Sequence, residues 1–172
     1  MPSDLGRTAL QLAKCLQDVA PREWVPPSEG LPPKSEMVVY HALVRGTGRS
    51  YIERIVYQIN GAYENGWYDA CAVMIRRLLE TLIIESFEAH DLADRIKKND
   101  DFMYLRDLIS VTLAEKSWNL GRNTKKALPK LKDIGDKSAH SRRYIAMRQD
   151  VDGVRSDLRT VVQELLILAG LK

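Results

Sequence analysis

Apolar residues recur at intervals of three and four over most of this chain, the spacing that gives an α-helix one buried stripe. The clearest case is C-terminal: Val151, Val154, Leu158, Val161, Leu165 and Leu168 predict a long packing helix that could also serve as a dimer seam. From Tyr68, the run Ala70-Cys-Ala-Val-Met-Ile75, then Leu78, Leu79, Leu82, Ile83 and Ile84, is apolar around much of its circumference. A helix of that kind is central, covered on more than one side. Arg76 and Glu80 interrupt it at the spacing of an ion pair, and a buried Arg needs such a partner.

Upstream, Ser50-Tyr-Ile-Glu53 has the spacing of a capping box. A helix is expected to start there, run through Ile52, Ile55, Val56 and Ile59, and end at Asn65-Gly66. The apolar run Met37-Val-Val-Tyr-His-Ala-Leu-Val44 is read as a short helix, since nothing else supplies a strand to pair with it. Asp91 is expected to cap a short segment through Ile96, and Asp101 a helix from Phe102 to about Glu115. A turn is read at Asn119-Leu-Gly-Arg-Asn123. Because Pro is tolerated at the first helical position, the helix carrying His140 is expected to begin at Pro129. No period-two alternation is long enough to build a sheet. The fold class is therefore all-α, an up-and-down helical bundle of four to five core helices.

The N-terminal region reads differently. Leu5, Ala9, Leu12 and Leu16 form one amphipathic stripe, but Pro21, Pro26, Pro27, Pro32 and Pro33 forbid a helix through the segment after it. Residues 1–34 are thus expected to form a helix and Pro-rich strap, and residues 35–172 the bundle domain. At 172 residues and 45% hydrophobic, the chain can bury a core of its own. Cys15 and Cys71 are unpatterned thiols and no secretory signal pattern opens the chain, which points to a reducing cytoplasmic setting. The longest apolar run, Leu165-Leu-Ile-Leu-Ala169, is too short to span a bilayer, so no membrane role is expected.

Charge changes the picture through its placement. Between Arg122 and Arg148 nine Lys or Arg stand against two acids, which leaves +7; the whole chain carries +3, so the remainder carries −4. Clustered cations gain entropy by displacing counterions from phosphates, which makes Lys125, Lys126, Lys130, Lys137, Arg142 and Arg143 candidates for contacting a polyanion. A solvated, Lys-rich helix face is the plainer alternative.

Several chemistries fail on spacing. His41, His90 and His140 lie far apart and neither Cys has a near partner, so no metal site is expected. Gly46-Thr-Gly48 lacks the strand and the Gly-Lys-Ser/Thr of a phosphate loop, and no other cofactor motif is present. Ser138 and His140 are two residues apart, which on a helix turns them away from one another and excludes a serine hydrolase. What remains is Lys132, Asp136 and His140, which recur at intervals of four and share one helix face. Asp136 could accept the ring N–H of His140 and fix its tautomer, and Lys132 or Arg143 could neutralise a phosphorane, which is enough for metal-independent RNA cleavage. The same residues could equally form a polar lock between helices.

The segment Lys132-Asp-Ile-Gly-Asp-Lys-Ser-Ala-His140, following Arg76-Arg-Leu-Leu-Glu80, resembles the HEPN superfamily, and in particular a bacterial branch described only as a domain of unknown function. The resemblance spans roughly residues 50–169. It implies a helical bundle, frequent homodimerisation and association with RNA or nucleotides, often in toxin or defence systems. Nuclease members carry an Arg shortly before the His; the positions that could hold it here are Asp133, Ile134 and Gly135, none of them basic. The expectation is accordingly a non-catalytic module that binds RNA, a nucleotide or an acidic partner protein. A metal-independent endoribonuclease using His140 and a purely structural dimerisation domain are the alternatives.

Overall fold

The computed structural model describes residues 38–172, and the helix and strap expected over residues 1–34 lie outside them. The described residues form an all-α bundle: α1 (His41–Val44), α2 (Ser50–Glu64), α3 (Tyr68–Ala89), a 3₁₀ turn (Ala93–Ile96), a two-stranded hairpin of β1 (Lys97–Lys98) and β2 (Asp101–Phe102), α4 (Leu105–Ala114), α5 (Arg122–His140) and α6 (Arg148–Leu168). The hairpin is the one piece that period-two alternation does not foreshadow. Its turn residues Asn99 and Asp100 both have positive φ, and a two-residue turn of that hand suffices to pair short strands.

α3 is central, as its all-round apolar character predicts, and packs against α2, α4, α5 and α6. Ile75, Leu78, Leu79, Leu82, Ile83 and Phe87 are fully buried along it. On α6, Val151, Leu158, Val161 and Leu165 are fully buried and Val154 and Leu168 pack against the same core. This stripe is used inside the bundle, against α3 and α5.

The helix ends obey local rules. Gly66 and Gly170 adopt the left-handed conformation that closes a helix, with the amide of the next residue reaching back across the last turn: Trp67 N–H to Ala62 O at 2.8 Å and Leu171 N–H to Leu166 O at 2.9 Å. Asp91 does the same for α3, at φ 58°, with Leu92 N–H reaching Phe87 O. It therefore terminates a helix instead of capping the next. Asp101, likewise, lies in β2, and α4 starts at Leu105.

Two further expectations are corrected. The capping box at Ser50 is not formed: Arg49 occupies the cap position, and the Glu53 carboxylate accepts instead from the Gly46 amide at 3.3 Å. The helix starts there all the same because Ile52, Ile55, Val56 and Ile59 are buried along it. More consequentially, α5 begins at Arg122, and Pro129 lies inside it. An internal Pro removes one hydrogen bond and crowds the preceding turn. Here the first turns are held from outside, since Glu164 of α6 accepts from both the Gly121 amide and the Thr124 hydroxyl. That carboxylate satisfies free donors at the positive end of the helix, and Ala127, Leu128 and Leu131 bury the turn around the Pro.

The short helix expected over Met37–Val44 shrinks to α1. Val38 and Val39 instead donate their amides to the Oδ1 of fully buried Asn60, at 3.1 and 3.0 Å, while its Nδ2 donates to Val39 O at 2.7 Å. One amide side chain thereby pairs three backbone groups that a helix would have paired internally.

Candidate functional site

α5 has two sides with different fates. Thr124, Ala127, Leu128, Leu131, Ile134 and Gly135 face the core. Gly135 sits where α5 crosses α3: a Cβ there would lie 2.6 Å from Arg76 Cβ and 3.0 Å from Ala72 O. The missing side chain lets the two helices approach closely enough for Arg76 Nε to donate to Asp136 Oδ1 at 2.9 Å. The segments around Arg76 and around Asp136, 60 residues apart in the chain, thus meet in space.

The crossing joins several charged groups. Lys132 Nζ donates to the other oxygen of Asp136 at 2.6 Å and lies 3.7 Å from Asp133, while Arg76 also pairs with Glu80 at 3.6 Å. Partial burial raises the Asp136 carboxyl, but the hydrogen bonds and positive charges of Lys132 and Arg76 outweigh it and hold it below the ordinary carboxylate range. Asp136 is therefore ionised at neutral pH, with both oxygens engaged. Among the described residues no hydrogen bond joins it to His140.

His140 is the last residue of α5 and is exposed. The face shared by Lys132, Asp136 and His140 exists as helix geometry, but only the first two form a unit. Ser138, by contrast, turns its hydroxyl into an enclosed position. The Ser138 hydroxyl is thus turned inward while His140 faces the solvent.

Lys126, Lys130 and Lys137 are exposed along a side of α5 turned away from Asp136, and Lys125 is exposed two turns before Lys132 on the face they share. Among the described residues, Lys130 alone of these four forms an ion pair, with Asp157 at 3.7 Å, both side chains well exposed. Past the end of the helix, Arg142 and Arg143 are exposed on the connector to α6, and neither forms an ion pair among the described residues. The connector itself is tied to the first turn of α3, where Asp69 Oδ1 accepts the Ala146 amide at 3.0 Å.

A second polar cluster has no counterpart in the motifs of the sequence. Tyr63, 4% exposed on α2, donates its hydroxyl to Asp152 at 2.6 Å and accepts from Arg148 Nε and Arg155 Nη2, each at 3.0 Å. The spacing of Arg148, Asp152 and Arg155 on α6 is the available signal; Tyr63, 89 residues from Asp152, is not locatable by spacing. With a carboxylate at its centre, this cluster is built as a clamp between α2 and α6.

Other groups offer less chemistry. Burial pushes the Cys71 thiol up to about 12, so it is no nucleophile at neutral pH. No group of three His, Cys, Asp or Glu with metal-ligand geometry occurs among the described residues. A depression of about 160 Å³ between α1 and the end of α6, lined by Ala42, Leu43, Gln163, Leu166, Ile167 and Lys172, is mainly apolar and lies away from these clusters. No helix among the described residues is long and apolar enough to cross a membrane.

Set against protein-family models, curated proteins and solved structures, the chain matches none.

Proposed function

We propose that this chain is a non-catalytic, HEPN-like helical module that binds RNA through the outward strip of α5, acting in the cytoplasm as a homodimer. The observation that carries this reading is the division of lysines on one helix. Lys132 is tied to Asp136 at 2.6 Å, while Lys125, Lys126, Lys130 and Lys137 face solvent. Lys126 and Lys137 are separated by about 16 Å along the axis at 1.5 Å per residue, which exceeds the reach of a single mononucleotide and suits a run of phosphates. The pairing of Lys130 with Asp157 is a weak competitor, since exposed ion pairs contribute little.

Binding is favoured over cleavage because the groups a nuclease would need are committed elsewhere or missing. Lys132 and Arg76 share Asp136 as their counter-anion, and the three positions before Asp136 hold no Arg. A labelled single-stranded RNA titrated at increasing ionic strength tests the reading. The affinity should fall linearly on a log–log plot with a slope near −3, from about 0.7 per phosphate contact and four lysines. Salt-insensitive binding, or none at low salt, sinks it.

One observation favours cleavage as a second reading: His140 is exposed beside Arg142 and Arg143. That reading requires RNA hydrolysis in the presence of EDTA which disappears in His140→Ala. Hydrolysis that survives the substitution does not come from this site.

A further inference from the structure

The connector between α5 and α6, residues 141–147, buries its small apolar residue and exposes its large ones. Ala146 is 3% exposed, whereas Ile145 and Met147 on either side are 72% and 56% exposed. In an extended segment successive side chains point to opposite sides, so fixing Ala146 inward turns both neighbours outward. The fixing is explicit. Asp69 holds the Ala146 amide, Ser141 Oγ accepts from Tyr144 N–H at 3.2 Å, and Asp150 accepts from Met147 N–H at 2.8 Å. Two large aliphatic side chains are thus presented to water by a network of hydrogen bonds.

The charges beside them also change kind. The α5 strip is made of lysines, but between Lys137 and Lys172 every basic side chain is an Arg or His140, starting with Arg142 and Arg143. Arg, Met and aromatic residues are enriched in protein interfaces and Lys is depleted, because Arg's planar fork pairs carboxylates in two places and stacks while doing so. A nucleic acid would gain little from Ile145 and Met147, which offer no aromatic face for a base to stack on. A membrane would gain little either, since two aliphatic tips on a pinned strand fall short of the apolar face that holds a helix in a lipid interface.

We propose that this connector docks a partner protein through an acidic amphipathic helix. With Met147 extended and exposure alternating over 145–147, Ile145 and Met147 are spaced by about 6.8 Å as on a strand, and side chains four apart on a helix are spaced by about 6 Å, so one apolar stripe of the partner covers both. Carboxylates flanking that stripe pair with Arg142 and Arg143 at the solvent-accessible rim of the contact, where they orient the partner and speed its encounter more than they add affinity. The site is distinct from the lysine strip and stands whether or not α5 binds RNA.

A capped synthetic helix with one leucine stripe and glutamates elsewhere is the probe, titrated into the full chain by fluorescence anisotropy. Saturable binding is expected, weakened about tenfold or more by Ile145→Ser/Met147→Ser and by a smaller, salt-dependent factor of about three by Arg142→Gln/Arg143→Gln, yet unchanged by Lys125→Gln/Lys126→Gln. A peptide of the same composition scrambled to lose the stripe should bind no better than the serine variant. Absence of saturable binding overturns the proposal, as does binding indifferent to the serine substitutions. It is also overturned if Ile145→Ser/Met147→Ser instead abolishes binding to phosphatidylserine vesicles or to single-stranded RNA, which would assign the connector to lipid or nucleic acid. Because all four substituted connector residues are exposed, retained helicity by circular dichroism is expected in every variant.

Discussion

The two sides of α5 carry the same residue types and put them to opposite uses. On the side facing α3, Lys132 and Arg76 share the Asp136 carboxylate, at a crossing that Gly135 keeps narrow. Away from that crossing, Lys126, Lys130 and Lys137 face the solvent, as does Lys125 two turns before Lys132, with only an exposed pairing of Lys130 to Asp157 among them. Lys132 and Lys137 are five residues apart, and helix geometry alone decides which becomes part of the frame and which remains available to a ligand. A positive charge signals binding only after its internal partners have been counted.

The sharpest way to break this comparison is to remove the outward lysines together. Glutamine at Lys125, Lys126, Lys130 and Lys137 should reduce the slope of log affinity for RNA against log salt by about 3 and leave the melting temperature nearly unchanged. If instead the slope persists and the protein melts early, the two sides have been assigned the wrong way round.

Gly135→Ala tests the inner side by steric means. Its Cβ meets the α3 backbone as well as a side chain, so a loss of about 2 kcal/mol is expected in chemical denaturation despite the better helix propensity of Ala. Asp136→Asn should cost somewhat less, about 1–2 kcal/mol, by leaving Arg76 and Lys132 without their shared anion. RNA affinity should be unaffected in Asp136→Asn once the folded fraction is accounted for. A drop in affinity without a drop in stability would move Asp136 from the frame to the binding surface.

Acid sharpens the contrast further. The carboxyl of Glu115 is lowered to about 2 by the Ser117 amide first, with further help from Arg95 and the Lys116 amide outweighing burial. A carboxylate depressed in the folded state contributes stability that is complete above its ordinary value near 4.5 and is lost as pH falls toward 2. Asp136 acts in the same direction, its contribution also fading as pH falls below the ordinary carboxylate range. Glu115→Gln should therefore flatten the acid limb of a melting-temperature profile below pH 4.5. The smallest effect is expected from His140→Ala: exposed and unbonded to Asp136, it should change stability by less than about 0.5 kcal/mol.

Much of the fold is legible in the sequence because it rests on apolar period. The stripe on α6 and the all-round apolar surface of α3 both name their own environments. The features that escape pattern reading depend on contacts distant along the chain. A start of α5 at Pro129 is the local rule for Pro, whereas the turns before it are secured by Glu164, 40 residues from Thr124. Asp91 and Asp101 have side chains suited to capping, but the positive φ at Asp91 and the hairpin at Asp101 take precedence. Of the candidate site, the bond between Lys132 and Asp136 follows from spacing, while the spacing of Arg76 points to Glu80 alone and leaves its bond to Asp136 hidden. The connector eludes pattern reading because no stretch of sequence reveals that an aspartate on α3 holds Ala146 inward.

The absent side chain at position 135 also fixes how far α5 can slide. Movement by one helical turn would bring Leu131 or Ala139 over Arg76 in place of glycine, wedging the rods apart and carrying Asp136 out of reach in the same motion. Shape and electrostatics thus select one longitudinal setting, and with it the direction in which every solvent-side lysine is aimed.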